Sequence, residues 1–121
     1  MTTTPDPRPV VSDSDGGATL AGWRCRTCRH PMLWHSPRCP ECGGALVDER
    51  FGPRGLVWSS TVVRVPVPGR TPPYAMAYVD LDDGPRVLAH VAGPPERLAV
   101  GARVTLRAQG SEGDVIVEEV R

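Results

Sequence analysis

The second half of the chain is built from short runs of apolar residues, rich in β-branched and aromatic types. The runs occupy residues 56–65, 74–81, 85–91, 103–108 and 114–120. Segments rich in glycine, proline and aspartate separate them, and such segments favour turns. Five short strands of this kind predict a small closed barrel, for which the OB fold is the leading candidate. Residues 94–101, between the third and fourth runs, are predicted to contain a helical turn.

The run at residues 74–81 has one wholly apolar face. This apolar set consists of Ala75, Ala77, Val79 and Leu81. Because one face of a barrel strand packs in the core, we expect this set to point inward. The opposite face carries Tyr74, Met76 and Tyr78, an exposed stripe of the kind favoured at protein interfaces. Side chains that merely cap the barrel edge would give the same pattern.

Alternation also assigns the faces of residues 103–108. The inward set is Val104, Leu106 and Ala108, and the outward set is Arg103, Thr105 and Arg107. Arginine binds phosphate through paired N–H donors, so outward arginines are candidates for contact with a phosphate group. The candidates in the barrel are Arg64, Arg86, Arg103 and Arg107. A solvated charged face is the alternative interpretation.

All the cysteines of the chain lie within eighteen residues, in two Cys-x-x-Cys pairs. Cys25 and Cys28 form the first pair, and Cys39 and Cys42 form the second. In a reducing compartment such pairs hold metal more often than they form disulfides. Two tight turns that face each other make the tetrahedral sulfur cage that Zn²⁺ favours, and a closed shell of four thiolates predicts a structural ion. Mononuclear iron of the rubredoxin kind, and disulfide or redox use, remain open alternatives.

The residues around the pairs refine this prediction. His30 and His35 lie between the pairs, and we expect both to be solvated loop residues, because four thiolates already close the shell. Gly43 and Gly44 follow the second pair, where such a turn usually needs a positive φ, whereas Arg29 follows the first. A ribbon of about thirty residues cannot sustain a core alone, so metal binding should supply its folding energy.

Composition indicates the fold class and the domain boundaries of the chain. Its 121 residues contain 14 prolines and 13 glycines, which favours an all-β protein. Residues 1–20 are polar and rich in turn-forming residues, so we expect them to be disordered, followed by a zinc ribbon at 21–50 and an OB-fold domain at 51–121. Neither a leader sequence nor a membrane-spanning stretch is visible, which predicts a cytoplasmic protein without membrane contact.

Charge and motifs argue against several functions. The 14 basic residues balance the 14 acidic ones, so no strong overall field recruits nucleic acid or anionic membrane. The sequence contains no Gly-x-Ser-x-Gly elbow and no phosphate loop. His90 stands alone in a strand, and Ser59 and Ser60 have no base near them in sequence. We therefore expect no catalytic residue in this chain.

Several segments together resemble a known family. The matching segments are RCRTC at 24–28, SPRCPEC at 36–42, GLVWSSTVV at 55–63, PPYAMAYVDLDDG at 72–84 and VGARV at 100–104. In order and content they resemble bacterial and archaeal proteins in which a rubredoxin-like zinc ribbon precedes an acyl-CoA-associated OB fold. The resemblance covers about residues 23–121, and the order of the segments is more specific than any one of them.

The resemblance implies a fold and a role. The fold is an all-β protein with a small rubredoxin-like zinc ribbon followed by a five-stranded OB-fold barrel. The role is that of a non-catalytic accessory subunit, bound in a hetero-oligomer to a thiolase-like or hydratase-like enzyme that acts on acyl-CoA or related thioesters. The resemblance leaves open whether this chain itself contacts the CoA thioester.

Single-stranded nucleic-acid binding is the alternative function, because OB folds and zinc ribbons both serve it. Arg24, Arg26, Arg29 and Arg38 make the ribbon locally basic, which favours this alternative. The neutral net charge and only six aromatic residues argue against it, because single-strand binders need a basic groove lined with stacking rings.

Overall fold

The protein is all-β in the computed structural model, which describes residues 9–14, 17–107 and 113–120. Within these ranges the chain forms nine strands and no helix. The strands are β1 (Val11–Ser14), β2 (Gly17–Cys25), β3 (Pro31–Met32), β4 (Leu46–Phe51), β5 (Arg54–Val63), β6 (Tyr74–Leu81), β7 (Arg86–Val91), β8 (Arg103–Leu106) and β9 (Ile116–Glu119). No helix in the described part of the chain could cross a membrane.

The first four strands form one antiparallel sheet around β2. Strand β2 pairs with β1 near its start, with β3 through Trp23 and Met32, and with β4 along Leu20–Cys25. The two Cys-x-x-Cys turns lie at the ends of these strands, the first between β2 and β3 and the second between β3 and β4. This sheet with its two turns is the ribbon of the protein.

The sheet begins earlier than the sequence predicts. We expected residues 1–20 to be disordered, but β1 and the first half of β2 lie there. Ala18 and Leu20 alternate with exposed or half-buried neighbours on β2 and are both buried, so a short apolar alternation outweighs the polar composition of this segment. Residues 1–8 lie outside the described residues.

The last five strands close into a barrel in the order β5, β6, β7, β9, β8. Strand β8 returns to pair with β5, the β7–β9 contact is parallel, and the other pairs are antiparallel. This confirms the predicted five-stranded OB-fold barrel.

Strand β6 coincides with residues 74–81, whereas β7, β8 and β9 are shorter than their predicted runs. The register of β5 against β6 shifts between Val57 and Ser59, which marks a β-bulge.

The helical turn predicted at residues 94–101 was wrong. The structure has bends and a turn there: Glu96 N donates to the carbonyl of Pro94, only two residues back, at 2.8 Å, and two further N–H groups bond outside the segment. Leu98 N donates to Ser60 Oγ at 3.0 Å, and Gly101 N donates to the carbonyl of Val57 at 2.8 Å. Tertiary hydrogen bonds to β5 therefore replace the local helical ones.

The ribbon and the barrel share one hydrophobic core. Ala18 and Leu20 of β2 and Phe51 of β4 belong to the same buried cluster as the inward residues of the barrel. Gly52 joins the two units with a φ of 97°, and a Cβ there would lie 2.5 Å from Leu106 Cδ1, so the close approach requires glycine. The ribbon is therefore packed against the barrel by apolar side chains.

The predicted faces of the barrel strands are mostly confirmed. The inward residues of β6 and β8 are buried as expected: Ala75, Ala77, Val79, Leu81, Val104 and Leu106. Arg103 and Arg107 are exposed, Thr105 is half-buried, and Ala108 lies outside the described residues. Within the predicted stripe only Tyr78 is exposed; Tyr74 and Met76 are half-buried. Two neighbours cover the Tyr74 ring: the His90 ring, with 5.6 Å between centroids, and the Arg70 guanidinium, with 5.3 Å from Cζ to the Tyr74 centroid.

Candidate metal centre

The fold brings the four predicted cysteines together at one point. The Sγ atoms of Cys25, Cys28, Cys39 and Cys42 all lie within 4.8 Å of one another. Cys25 Sγ is 3.4 Å from Cys42 Sγ, and Cys28 Sγ is 3.6 Å from Cys39 Sγ. All four are free thiols, with Cys25 and Cys39 buried and Cys28 and Cys42 exposed. The arrangement is a four-sulfur cluster that could hold a metal ion.

Backbone groups of the two turns support the sulfur atoms. Cys25 Sγ accepts contacts at 3.4 Å from the N–H groups of Thr27 and Cys28, and Cys39 Sγ accepts one at 3.4 Å from Glu41 N. These N–H groups would stabilise negative charge on sulfur. In both turns, therefore, the Sγ atom of the first cysteine accepts contacts from backbone N–H groups of the residues that follow it.

The turns need unusual backbone, as predicted. Arg29 has a φ of 68° after the first pair, and Gly43 has a φ of 77° after the second. Gly44 is needed for space instead, because a Cβ there would lie 2.9 Å from Cys25 Sγ and 3.0 Å from Thr27 Oγ1. The second turn therefore uses one glycine for conformation and the next for access to the cluster.

The thiols strongly influence one another's ionisation. The pKa of Cys25 is lowered to about 6, chiefly by the backbone N–H of Cys28, against the effect of burial. At Cys28 the backbone N–H of His30 lowers the pKa, but burial and the three neighbouring thiols together raise it to about 12. Clustered thiols therefore cannot all ionise near neutral pH unless a cation compensates their charge.

The donor set fits a tetrahedral thiolate-bound ion. Four Zn–S bonds of about 2.3 Å in a tetrahedron place sulfur atoms about 3.8 Å apart, close to the separations seen here. Neither His30 nor His35 belongs to the cluster in the described residues: the carbonyl of His30 accepts a bond from Cys25 N, and the ring of His35 lies 5.2 Å from that of Trp23. Four sulfurs close the shell without a position for water.

Arg24 connects the first turn to the barrel, and the sequence analysis missed this role. Its side chain is 4% exposed. Nε donates to Glu49 Oε2 at 2.5 Å, NH1 donates to the carbonyl of Arg29 at 2.8 Å, and NH2 donates to the carbonyl of Asp83 in the β6–β7 turn. The signal in the sequence was alternation, since Arg24 shares the buried face of β2 with Leu20 and Gly22.

His90 lies in a small polar cluster beside a cavity of about 390 Å³. Its Nε2 is 3.7 Å from Asp114 Oδ2, and Arg70 donates to the same carboxylate oxygen at 2.7 Å. Burial, with Arg70 adding to it and Asp114 opposing, lowers the pKa of His90. Nδ1 is buried and has no hydrogen-bond partner among the described residues. This arrangement favours a neutral imidazole.

The structure does not bring the candidate phosphate ligands to one site with free donors. Arg86 donates to both carboxylate oxygens of Asp80, at 2.6 and 3.1 Å, and Arg107 lies 3.2 Å from Glu118. Arg64 and Arg103 are exposed near opposite ends of β5. Ser60, considered above as a nucleophile, accepts the bond from Leu98 N and so fastens a loop.

A zinc-ribbon fold joined to an OB-fold barrel is the class of protein that these features define. The family model described as the C-terminal OB-fold domain of ChsH2 matches residues 48–109, just over half of the chain. The chain therefore belongs to this family.

Three relatives carry names that describe parts of larger systems. A DUF35 domain-containing scaffold protein of Pyrococcus furiosus is 35% identical over 72% of this chain and 66% of its own length. A probable enoyl-CoA hydratase alpha subunit of Thermomonospora curvata is 36% identical over 68% of this chain and 26% of its own length. The benzoylsuccinyl-CoA thiolase subunit BbsA of Thauera aromatica is 29% identical over 71% of this chain and 61% of its own length.

A solved structure is also similar. A chain of the Ltp2-ChsH2(DUF35) aldolase superimposes with a TM-score of 0.67 at 28% identity, over 84% of each chain. This chain spans about two thirds of the scaffold protein's length and about a quarter of the hydratase subunit's.

Proposed function

We propose that this chain is a non-catalytic accessory subunit that binds and supports a thiolase-like or hydratase-like enzyme acting on acyl-CoA or related thioesters. The observation that carries the proposal is the shared architecture: relatives named as a scaffold protein, a hydratase subunit and a thiolase subunit match most of this chain. Because these names refer to assemblies, the same two units here fit a role inside one. The chemistry would belong to the partner enzyme.

The four-sulfur cluster is proposed to hold one structural Zn²⁺ through Cys25, Cys28, Cys39 and Cys42. When bound, the ion would supply folding energy to the ribbon. The closed sulfur shell supports a structural ion, because a catalytic zinc keeps one position open for water or substrate. We also propose a cytoplasmic location, because a reducing compartment keeps the four cysteines available as ligands.

The state of the other candidate groups supports a non-catalytic role. Ser60 Oγ is engaged by Leu98 N, and His90 Nε2 faces the Asp114 carboxylate, which Arg70 also holds. In the part of the chain that the structure describes, Ser60 and His90 are therefore not hydrogen-bonded to each other as a nucleophile and its base would be. The aldolase activity named for the similar solved structure belongs to that assembly.

Affinity purification of the chain from its native host tests this proposal. Mass spectrometry would identify the proteins that elute at near-equal stoichiometry, and a metal assay on the same sample would count zinc. We expect a thiolase-like or hydratase-like enzyme and one zinc per chain. Recovery of the chain as a monomer without an acyl-CoA enzyme would contradict the accessory role. Iron in place of zinc would contradict the proposed metal.

Single-stranded nucleic-acid binding is the second candidate, and the position of Trp58 and Tyr78 favours it. Both rings are exposed, on the adjacent strands β5 and β6, and exposed aromatic rings are what single-strand binders use to stack bases. The nearest cation, Arg86, is already paired with Asp80, which weakens this candidate. A labelled oligonucleotide titrated at two salt concentrations separates the two functions, because phosphate contacts give steep salt dependence.

A further inference from the structure

Exposed apolar side chains of the ribbon and the barrel lie on one side of the molecule. We call this set the ribbon–barrel face, and it comprises Trp34, Trp58, Tyr78 and Leu88. Trp34 is 62% exposed, Trp58 50%, Leu88 46% and Tyr78 45%. Large apolar side chains exposed singly are ordinary, whereas a connected group of them marks an interaction site.

The members of the ribbon–barrel face are neighbours. Tyr78 and Leu88 are directly opposite each other in the β6–β7 pairing, and the Trp58 and Tyr78 rings meet edge to face with centroids 6.0 Å apart. Trp34 and Leu88 line the same groove, of about 380 Å³, together with Leu33 and Met76. The apolar surface therefore runs from the ribbon across β7 and β6 to β5.

The β-bulge in β5 places Trp58 in this surface. Val57 pairs with Val79 and Ser59 with Tyr78, so Trp58 is the extra residue without an opposite partner on β6. Bulges redirect side chains. The Trp58 ring here lies under the guanidinium of Arg86 on β7, with 3.8 Å from Cζ to the ring centroid. The stack fixes the orientation of a large, exposed ring.

The charges within the ribbon–barrel face cancel. Arg86 is bidentate to Asp80, and the hydrogen bond from Arg86 lowers the pKa of Asp80, so the carboxylate stays ionised and the pair stays neutral as a unit. A neutral surface complements an apolar protein surface. A phosphate backbone or an anionic membrane would instead need free cations.

We propose that the ribbon–barrel face docks onto an uncharged, apolar surface of the acyl-CoA enzyme; this inference rests on the proposed function. The barrel is closed, so docking uses side chains rather than an added strand. The rigid aromatic members, Trp58 and Tyr78, are residue types that dominate binding energy at interfaces. Because Trp34 belongs to the ribbon, the complete face depends on the turns that position it.

Equilibrium binding of variants to the purified partner enzyme tests the docking face. The partner is the thiolase-like or hydratase-like enzyme isolated with the wild-type chain, and the variants are Tyr78→Asp and Leu88→Asp. Each should raise Kd about 30-fold or more, the loss typical of a hot-spot residue. Val120→Asp is the matched control, because Val120 is 50% exposed but follows β9, which pairs with neither β5 nor β6; its Kd should stay within about 2-fold. Thermal unfolding of each variant confirms that the barrel folds.

Hydrogen exchange on the wild-type complex gives a second readout that needs no variant. We expect protection to concentrate in β5, β6 and the turn that contains Trp34. If both Asp variants bound the partner enzyme with the wild-type Kd, or if protection from exchange were confined to another side of the molecule, the docking face would be wrong. The proposed function would stay intact in both cases. If the wild-type chain formed a dimer that both variants converted to monomers, a second copy of this chain would cover the ribbon–barrel face. That result would also overturn docking to the enzyme. A wild-type chain that binds no acyl-CoA enzyme would overturn both.

Discussion

The side chain of Arg24, in the ribbon, donates a hydrogen bond to the backbone carbonyl of Asp83, in the barrel turn between β6 and β7. The same guanidinium holds the carbonyl of Arg29 and the carboxylate of Glu49. Arg29 has a positive φ in the first cysteine turn, and Asp83 has a φ of 51° in its own turn. One buried cation therefore ties the candidate metal centre to the barrel.

Arg24→Met should lower the free energy of unfolding by about 2–3 kcal/mol, because it removes the charge and leaves Glu49 and two carbonyls without their donor. Urea unfolding measures this loss. Arg50→Met is the control, because Arg50 is exposed on the neighbouring strand β4 and its loss should cost less than about 0.5 kcal/mol. Equal effects of the two substitutions would show that Arg24 does not join the units.

Cys39→Ser should release the metal and unfold the ribbon, since three thiolates no longer close the shell. Metal analysis after gel filtration, together with far-UV circular dichroism, measures both effects. The paired controls His30→Ala and His35→Ala should keep one metal per chain, because neither histidine belongs to the sulfur cluster. Full metal retention with unchanged stability in Cys39→Ser would remove this cysteine from the ligand set.

Gly44→Ala should weaken metal binding, because the new methyl group would lie 2.9 Å from Cys25 Sγ and push that ligand out of position. Competition with a chromophoric chelator measures the affinity. Gly43→Ala separates space from conformation: nothing lies within 4 Å of its Cβ position, but its φ is 77°. Gly43→Ala should lower the free energy of unfolding by about 1 kcal/mol, and it should change metal affinity less than Gly44→Ala does. Wild-type affinity in Gly44→Ala would contradict the close packing.

Acid should destabilise the fold through His90. Burial lowers its folded-state pKa below the ordinary 6.5, so the unfolded chain takes up the proton at a higher pH than the folded chain does. The contribution of His90 to stability is therefore constant above about pH 6.5 and falls as the pH drops from there through the folded pKa. The difference between wild type and His90→Gln in urea unfolding isolates this effect from pH-dependent metal release. His35→Gln, at an exposed position, should leave the slope unchanged; a His90→Gln slope equal to wild type would refute the effect.

The strands of the barrel could be predicted from sequence because each is short and alternates. Residues 74–81 show this best, since four small or branched apolar residues mark the inner face of β6 without ambiguity. The helical turn at 94–101 could not be excluded locally, because its competing bonds go to Ser60 and Val57, which are 38 and 44 residues away in sequence. The start of β2 was missed because composition was given more weight than the alternation of Ala18 and Leu20.

The four-cysteine cluster could be predicted because its spacing fixes the local turns, and the turns need only face each other. The roles of Arg24 and Trp58 could not be predicted in the same way. Arg24 bonds to Asp83 at a separation of 59 residues, and Trp58 is oriented by Arg86 across an intervening strand. Such contacts depend on how the ribbon and barrel strands meet in space, which no local pattern records.

Turnover of an acyl-CoA substrate by the chain alone, by the purified partner enzyme alone and by the reconstituted complex tests the central claim most directly. If this chain is a non-catalytic accessory subunit, it should show no turnover by itself, and the complex should exceed the partner enzyme in activity or stability. Turnover by the isolated chain at the rate of the complex would contradict the claim, since the catalytic residues would then belong to this chain.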